Sequence, residues 1–376
     1  MFENLTLLQL QQYWWIIISL LGGLFVFMMF VQGGQTLFRS LARDEIEKTM
    51  LINSIGRKWE LGFTTLVLFG GALFAAFPLF YSTSFGGAYW VWMAILFCFI
   101  IQAVSYEYRT KPNNFLGQKT YELFLEINGN IGVFLLGVAI STFFSGSEFF
   151  VDERNFSYWK NELRGLEALI NPYNLFLGFS LLFLSKILGA MYFINNIDHK
   201  QIQKRAVDSI KINMILFLVF FFGFLGWIFT KNGFDVDAMG IVSIVPLKYI
   251  QNFIDMPIVF GMFIFGVAMV VVAVYRTIEQ EKTCCIKTGG VGVVITVMAL
   301  LLSVGLNNTP FYPSTYDLQS SLTIMNSSGS HYTLVTMSYA SLLVPFVLGY
   351  IFYAWRAMDI VKITKEEMSD TDAHHY

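Results

Sequence analysis

Long apolar runs, interrupted at near-regular intervals by short polar segments, dominate this chain. Nine of the runs approach the roughly 20 residues that a helix needs to cross a bilayer. They predict spanning helices near 13–38, 61–81, 87–109, 118–144, 173–197, 205–230, 254–276, 289–307 and 332–356. The runs are continuous rather than alternating, which argues against a membrane β-barrel. The pattern predicts an all-α integral membrane protein, a single membrane unit over 1–376. Its natural partition is a first four-helix group (13–144), a second (173–307), a peripheral ninth helix (332–356) and a tail (357–376).

The polar segments orient the chain. Segments after odd-numbered helices, with the tail, hold eighteen of the 24 Lys and Arg, and the opposite set holds five. Basic residues stay on the cytoplasmic side, so the expectation is an N-terminus outside and a C-terminus in the cytoplasm. Residues 1–12 contain no Lys or Arg, and no cleavage-site pattern follows, so the first helix is expected to remain. Trp14, Trp15, Trp90, Trp92 and Trp227 fall near predicted helix ends, as an anchoring belt would.

Composition agrees: 56% of residues are hydrophobic and 13% charged, against about 25% charged in soluble domains. A net charge of −2 without a long basic tract gives no reason to expect nucleic acid. Cys98, Cys284 and Cys285 form no disulfide framework. His199, His331, His374 and His375 all lie outside the predicted spans. Haem in a helical bundle is usually held by His or Met within the helices, so this chain alone is not expected to hold several haems. Gly22-Gly23, Gly70-Gly71 and Gly289-Gly290 permit close helix contact.

Ionisable groups at membrane depth are costly and therefore candidates for function. Glu60, after Trp59, opens the second helix; Glu107 and Arg109 close the third; Glu122 and Glu126 enter the fourth. Each also has a plainer reading: Glu60 as a favourable charge at a helix start, the others as interfacial side chains reaching water. Lys186 lies roughly 16 Å, and Glu126 roughly 12 Å, from the same face, so a buried Glu126–Lys186 pair is expected if their helices face each other. No metal site is expected.

Several segments, in order along the chain, resemble cytochrome bd ubiquinol oxidase subunit II. They are Met50-Leu51-Ile52-Asn53-Ser54-Ile55 with Trp59-Glu60, and Gly70-Gly71-Ala72-Leu73-Phe74-Ala75-Ala76-Phe77-Pro78. Tyr106-Glu107-Tyr108-Arg109, Asn171-Pro172, Pro313-Ser314, Ser321-Leu322-Thr323, Thr333-Leu334 with Met337, and Ile363-Thr364-Lys365-Glu366-Glu367 follow. The resemblance implies two four-helix bundles plus one helix, and a heterodimer with a subunit I that holds haems b and d and the quinol site. It implies a haem-free chain that supports assembly of the haem subunit and cytoplasmic proton uptake, in a bacterial cytoplasmic membrane. Such a chain can also hold a structural quinone and meet lipid or a small accessory subunit. Glu60 then becomes the proton-entry acid, positioned by Trp59, with Glu107 and Glu126 as further acids on the path. Gln32 and Gln35 stand where the family carries aspartates, Gln102 stands where it carries Arg, and Lys186 has no family counterpart. A secondary transporter with a buried Glu/Lys site is the alternative, and a purely structural subunit a third reading.

Overall fold

A computed structural model describes residues 2–280 and 282–369. His374 and His375 lie outside the described residues. Among the described residues, nine helices are long and apolar enough to cross a membrane: α1 (Leu7–Gln35), α2 (Glu45–Ala76), α3 (Tyr89–Tyr108), α4 (Gln118–Ser145), α5 (Pro172–Asn196), α6 (Lys200–Thr230), α7 (Pro257–Glu279), α8 (Cys285–Gly305) and α9 (His331–Asp359). Two short hairpins, β1 (Phe149–Val151) with β2 (Ser157–Trp159) and β3 (Gly233–Val236) with β4 (Val242–Val245), lie in connecting loops.

Local chemistry explains two boundaries that differ from the apolar pattern. α1 starts at Leu7 because Thr6 and Gln9 cap each other reciprocally, a capping box. α2 starts at Glu45, inside what hydropathy reads as a loop. Asp44 caps it by accepting from the Glu47 amide, and it continues with a break at Arg57–Lys58. Asn171 and Pro172 open α5 as cap and first residue.

α1 and α5 are the most enclosed spans, 72% and 78% buried; α9 is the least, at 22%. α1 packs on α8, α5 and α2. The contact is close enough to require glycine. A Cβ on Gly33 would lie 1.9 Å from the Ser185 carbonyl oxygen of α5, and one on Gly305 would lie 2.0 Å from the Trp15 indole nitrogen. Trp14 and Trp15 are therefore core residues and not interfacial anchors. Trp15 donates to the Leu301 carbonyl oxygen at 3.0 Å and Trp14 to Ser338 Oγ at 3.1 Å. Trp90 is exposed, as the belt expectation had it.

The peripheral α9 is fastened at its C-terminal end. Lys58, at the break in α2, is fully buried and meets Asp359 Oδ1 at 2.9 Å, under the Trp355 ring. Tyr192 and Asn196 of α5 donate to the same carboxylate oxygen at 3.0 and 3.2 Å. Beyond it, Ile363 pairs with α5's last turn through its amide to the Asn196 carbonyl oxygen and its carbonyl oxygen to the Asp198 amide. Arg57 and Glu367 meet at 2.6 Å.

At the opposite end, Lys231 donates to the Phe144 carbonyl oxygen and so caps the end of α4. Burial against Trp227, Phe234 and Tyr249 pushes its ammonium down to about 8.

Two predictions follow from packing. Gly33→Ala is expected to destabilise the protein by about 3 kcal/mol or more, whereas Gly71→Ala, with no atom near the added methyl, stays within about 0.5 kcal/mol. Thermal melts of the detergent-purified variants check the contrast. Removing one partner of a buried pair costs about 3–5 kcal/mol, so Lys58→Met is expected to melt early. Adding Asp359→Leu should recover most of the loss, and strictly additive effects would show that the pair is not coupled.

Candidate functional site

The connections after odd-numbered spans share one end of the bundle, called here the basic end, and most buried charge collects there. Glu122 of α4 has a nearly buried side chain and accepts from Arg109 at 3.1 Å, Lys48 at 3.3 Å and Gln118 at 3.3 Å. Glu47 of α2 meets Arg205 of α6 at 2.8 Å and the Arg43 amide at 2.6 Å, with His199 at 3.8 Å. Arg109, expected to be an interfacial charge beside Glu107, is thus turned inward to bridge α3 and α4.

Between α1, α2, α3 and α4 lies a buried polar cluster, called here the chamber. Gln32 Nε2 donates to Gln102 Oε1 at 3.2 Å, and Gln35 Nε2 to the Tyr106 hydroxyl at 3.0 Å. Trp59 stacks on Tyr106, with centroids 5.8 Å apart and planes 12° from parallel. Six buried polar atoms here have no protein partner: Gln32 Oε1, Gln35 Oε1, Gln102 Nε2, Trp59 Nε1 and both side-chain heteroatoms of Asn128. A buried polar group left unsatisfied costs about 1–3 kcal/mol, so their grouping in one place is a feature and not scatter.

The sequence builds this chamber through a π-turn. In α4 the helix widens over Asn128–Gly132, a distortion frequent at functional positions. Glycine is required at Gly129, where a Cβ would lie 2.4 Å from the Gln32 carbonyl oxygen; at Gly132 a Cβ would be tight, 3.1 Å from Asn128 Nδ2. α4 thereby presses its backbone onto α1 while Asn128 stays inside.

The residues expected at the site fall on three sides of it. Trp59 lines the chamber with its indole. Glu60 and Glu107, each the residue after a member of the Trp59–Tyr106 stack, are exposed. Glu126 is partly buried and pairs with Arg39 at 2.7 Å. The expected Glu126–Lys186 bridge is not formed: Arg39 supplies the cation, and Lys186 makes no ion pair among the described residues. Its ammonium lies 5.8 Å from the Phe183 ring centroid instead. Glu47, Lys58 and Asp359 were not singled out by sequence. The readable signals were the Asp44–Glu47 capping spacing and the Asn-Gly-Asn-Ile-Gly run.

A separate apolar cavity of about 130 Å³ lies among α1, α4, α5, α6, α7 and α8, lined by Val26, Phe144, Leu181, Phe217, Val270 and Leu301 among others. Among the described residues, no three His, Cys, Asp or Glu side chains converge as metal ligands would.

The comparisons with known proteins cover nearly the whole chain. The family model for cytochrome bd terminal oxidase subunit II matches residues 10–358. The chain is 26% identical to cytochrome bd-I ubiquinol oxidase subunit 2 of Escherichia coli (strain K12), over 94% of this chain and 95% of that one. It is 25% identical to cytochrome bd ubiquinol oxidase subunit 2 of Bacillus subtilis (strain 168), over 90% and 93% respectively. The solved structure of bd oxidase from Geobacillus thermodenitrificans contains a chain of the same fold, with TM-score 0.67 and 12% identity, covering 94% of this chain and all of that one. Nine apolar spans, a fold shared with a solved bd oxidase chain and a family match from the first span to the ninth agree: the chain belongs to the cytochrome bd terminal oxidase subunit II family.

Proposed function

We propose that the chain is the haem-free subunit II of a cytochrome bd-type quinol oxidase, active only with a haem-bearing subunit I. It sits in a bacterial cytoplasmic membrane with the basic end and C-terminus inside and the N-terminus outside. The spans form two four-helix groups (13–144 and 173–307) with the ninth helix beside them. The haems b and d, held by the partner, supply the reduction of oxygen by quinol. This chain supports assembly of that partner and delivers protons from the cytoplasm.

The chamber between α1 and α4 carries the proposal. Three donors and three acceptors without protein partners suit a short file of water, which satisfies 2–4 polar groups per molecule. Amides do not titrate, so Gln32, Gln35, Gln102 and Asn128 orient water without storing a proton. Storage falls to the flanking acids. Glu60 and Glu107 stand outside the wall made by Trp59 and Tyr106, with Glu126 on the α4 side. Glu60 is the entry acid in this reading, and Trp59 holds the boundary between it and the chamber. The apolar cavity among α4–α8 supports a lipid chain or the tail of a structural quinone.

Mild-detergent purification from the native membrane is expected to retain a second multispanning subunit and to show b- and d-type haem bands in a reduced-minus-oxidised spectrum. A colourless chain alone, under conditions that keep other complexes intact, would sink the reading. Glu60→Gln is expected to slow oxygen consumption by about tenfold or more with haem content kept. Gln102→Leu, which removes a chamber donor without altering charge, is expected to slow it as well. Normal turnover in both variants would remove this path from the mechanism.

A further inference from the structure

Three consecutive residues of α2 leave its backbone in three directions. Lys58 is fully buried and reaches α5 and α9, the Trp59 indole lies on the Tyr106 ring of α3, and Glu60 is exposed. They diverge because the helix is broken there. Lys58 has φ −122° and ψ −6°. Its amide donates to the Ile55 carbonyl oxygen at 2.9 Å, three residues back, where a continuous α-helix bonds four back. In an unbroken helix the preceding turn fixes where each side chain points. At this break it does not. The stack on Tyr106 holds Trp59 on one side, and its backbone needs a second hold.

The Asp359 carboxylate supplies it. Its Oδ1 meets Lys58 Nζ at 2.9 Å and accepts from the Tyr192 hydroxyl at 3.0 Å and Asn196 Nδ2 at 3.2 Å. Asn196 Oδ1 in turn accepts from Ser54 Oγ at 2.7 Å. Ser54 and Lys58 lie one turn apart, before the break and at it, so one carboxylate holds α2 at both points. The hold is tied to a rigid frame. A Cβ on Gly189 of α5, three residues before Tyr192, would lie 2.5 Å from the Gly34 amide nitrogen of α1. α5 is therefore seated directly on α1. The residue after Gly34, Gln35, donates to the hydroxyl of Tyr106, on which Trp59 stacks. Anchor and chamber thus share one framework, with Trp59 between them.

We propose that Lys58 and Asp359 are positioning residues for Trp59. Their ion pair fixes the backbone at the break in α2, and with it the indole that stands between Glu60 and the chamber. The proposal rests on the reading of the chamber as a proton path. Apolar residues of similar volume can replace a buried ion pair without loss of stability, but they exert no directed pull on the break. Stability and turnover therefore separate when the pair is replaced as a whole.

The test uses the complex purified in mild detergent from its native membrane, with haem content measured. Decylubiquinol or menadiol serves as donor, whichever the wild type oxidises. The paired variant, Lys58→Met with Asp359→Leu, is expected to melt close to the wild type. Its kcat for oxygen consumption is expected to fall by about tenfold, with KM for the quinol unchanged. Wild-type kcat in that variant overturns the proposal, and so does a raised KM with kcat kept. Trp59→Leu locates the effect. If the pair acts through the indole, adding Trp59→Leu to the paired variant lowers kcat no further than Trp59→Leu alone. Losses that multiply overturn the proposal. If the paired variant does not accumulate, Asp359→Asn decides, because it keeps an acceptor for Tyr192 and Asn196. Its kcat is expected to fall by about threefold or more, and wild-type kcat overturns the proposal. Gln102→Leu separates this proposal from the reading beneath it. Slow turnover there with normal turnover in the paired variant removes the positioning role and leaves the chamber. Normal turnover in both Gln102→Leu and Glu60→Gln removes the chamber reading and this proposal with it.

Discussion

In hydrocarbon a backbone has no water to bond, so each spanning segment must satisfy its own amides and carbonyls. That constraint sets nearly everything in this fold. It forces helices wherever the described chain turns apolar, and it leaves side-chain packing and side-chain polarity to decide how they assemble. Helices gain little from hydrophobic burial against each other when lipid is equally apolar. Close contact replaces it, and glycine permits the closest. Gly33 against Ser185 and Gly305 against Trp15 are backbone-level contacts of this kind. They make α1 the axis on which α5 and α8 pack.

Polar groups inside such a bundle are tolerated where they answer one another. Glu122, Glu47 and Asp359 each gather donors from other elements. The three lie near the basic end, where they join spans distant in sequence. The pair Lys58–Asp359 ties the least buried span to the rest. The chamber differs in kind. Its amides and indole are buried and only partly answered by protein. A chain selected for packing alone would have filled those positions with apolar groups, because an unsatisfied polar atom weakens the fold. Retaining six such atoms in one place, beside a π-turn whose Gly129 leaves no room for a side chain, costs stability.

Amides rather than acids suit the interior at these positions. Gln32 binds Gln102, and Gln35 binds the Tyr106 hydroxyl. A buried aspartate pair here would need a cation nearby, and the residue facing Gln32 is Gln102. Neutral partners keep this part of the interior free of unpaired charge.

Hydropathy alone determined the number and rough limits of the spans, because a bilayer demands about 20 apolar residues per crossing whatever their neighbours are. The capping residues Thr6, Asp44 and Asn171 carried finer boundaries, since a cap acts within one helical turn. The family resemblance was legible in Trp59-Glu60 and Tyr106-Glu107-Tyr108-Arg109, and the alignment over residues 10–358 agrees with it. What no local pattern could decide was pairing across spans. Glu126 and Lys186 have compatible depths, and depth is all that sequence supplies. Rotation of each helix about its axis decides the partner, and α4 presents Glu126 to Arg39 while α5 turns Lys186 toward the Phe183 ring. Trp14 and Trp15 went inward and Arg109 turned to Glu122 for the same reason. Helix rotation is set by tertiary contacts such as Gly33 on Ser185, so only the assembled bundle could show which polar groups meet.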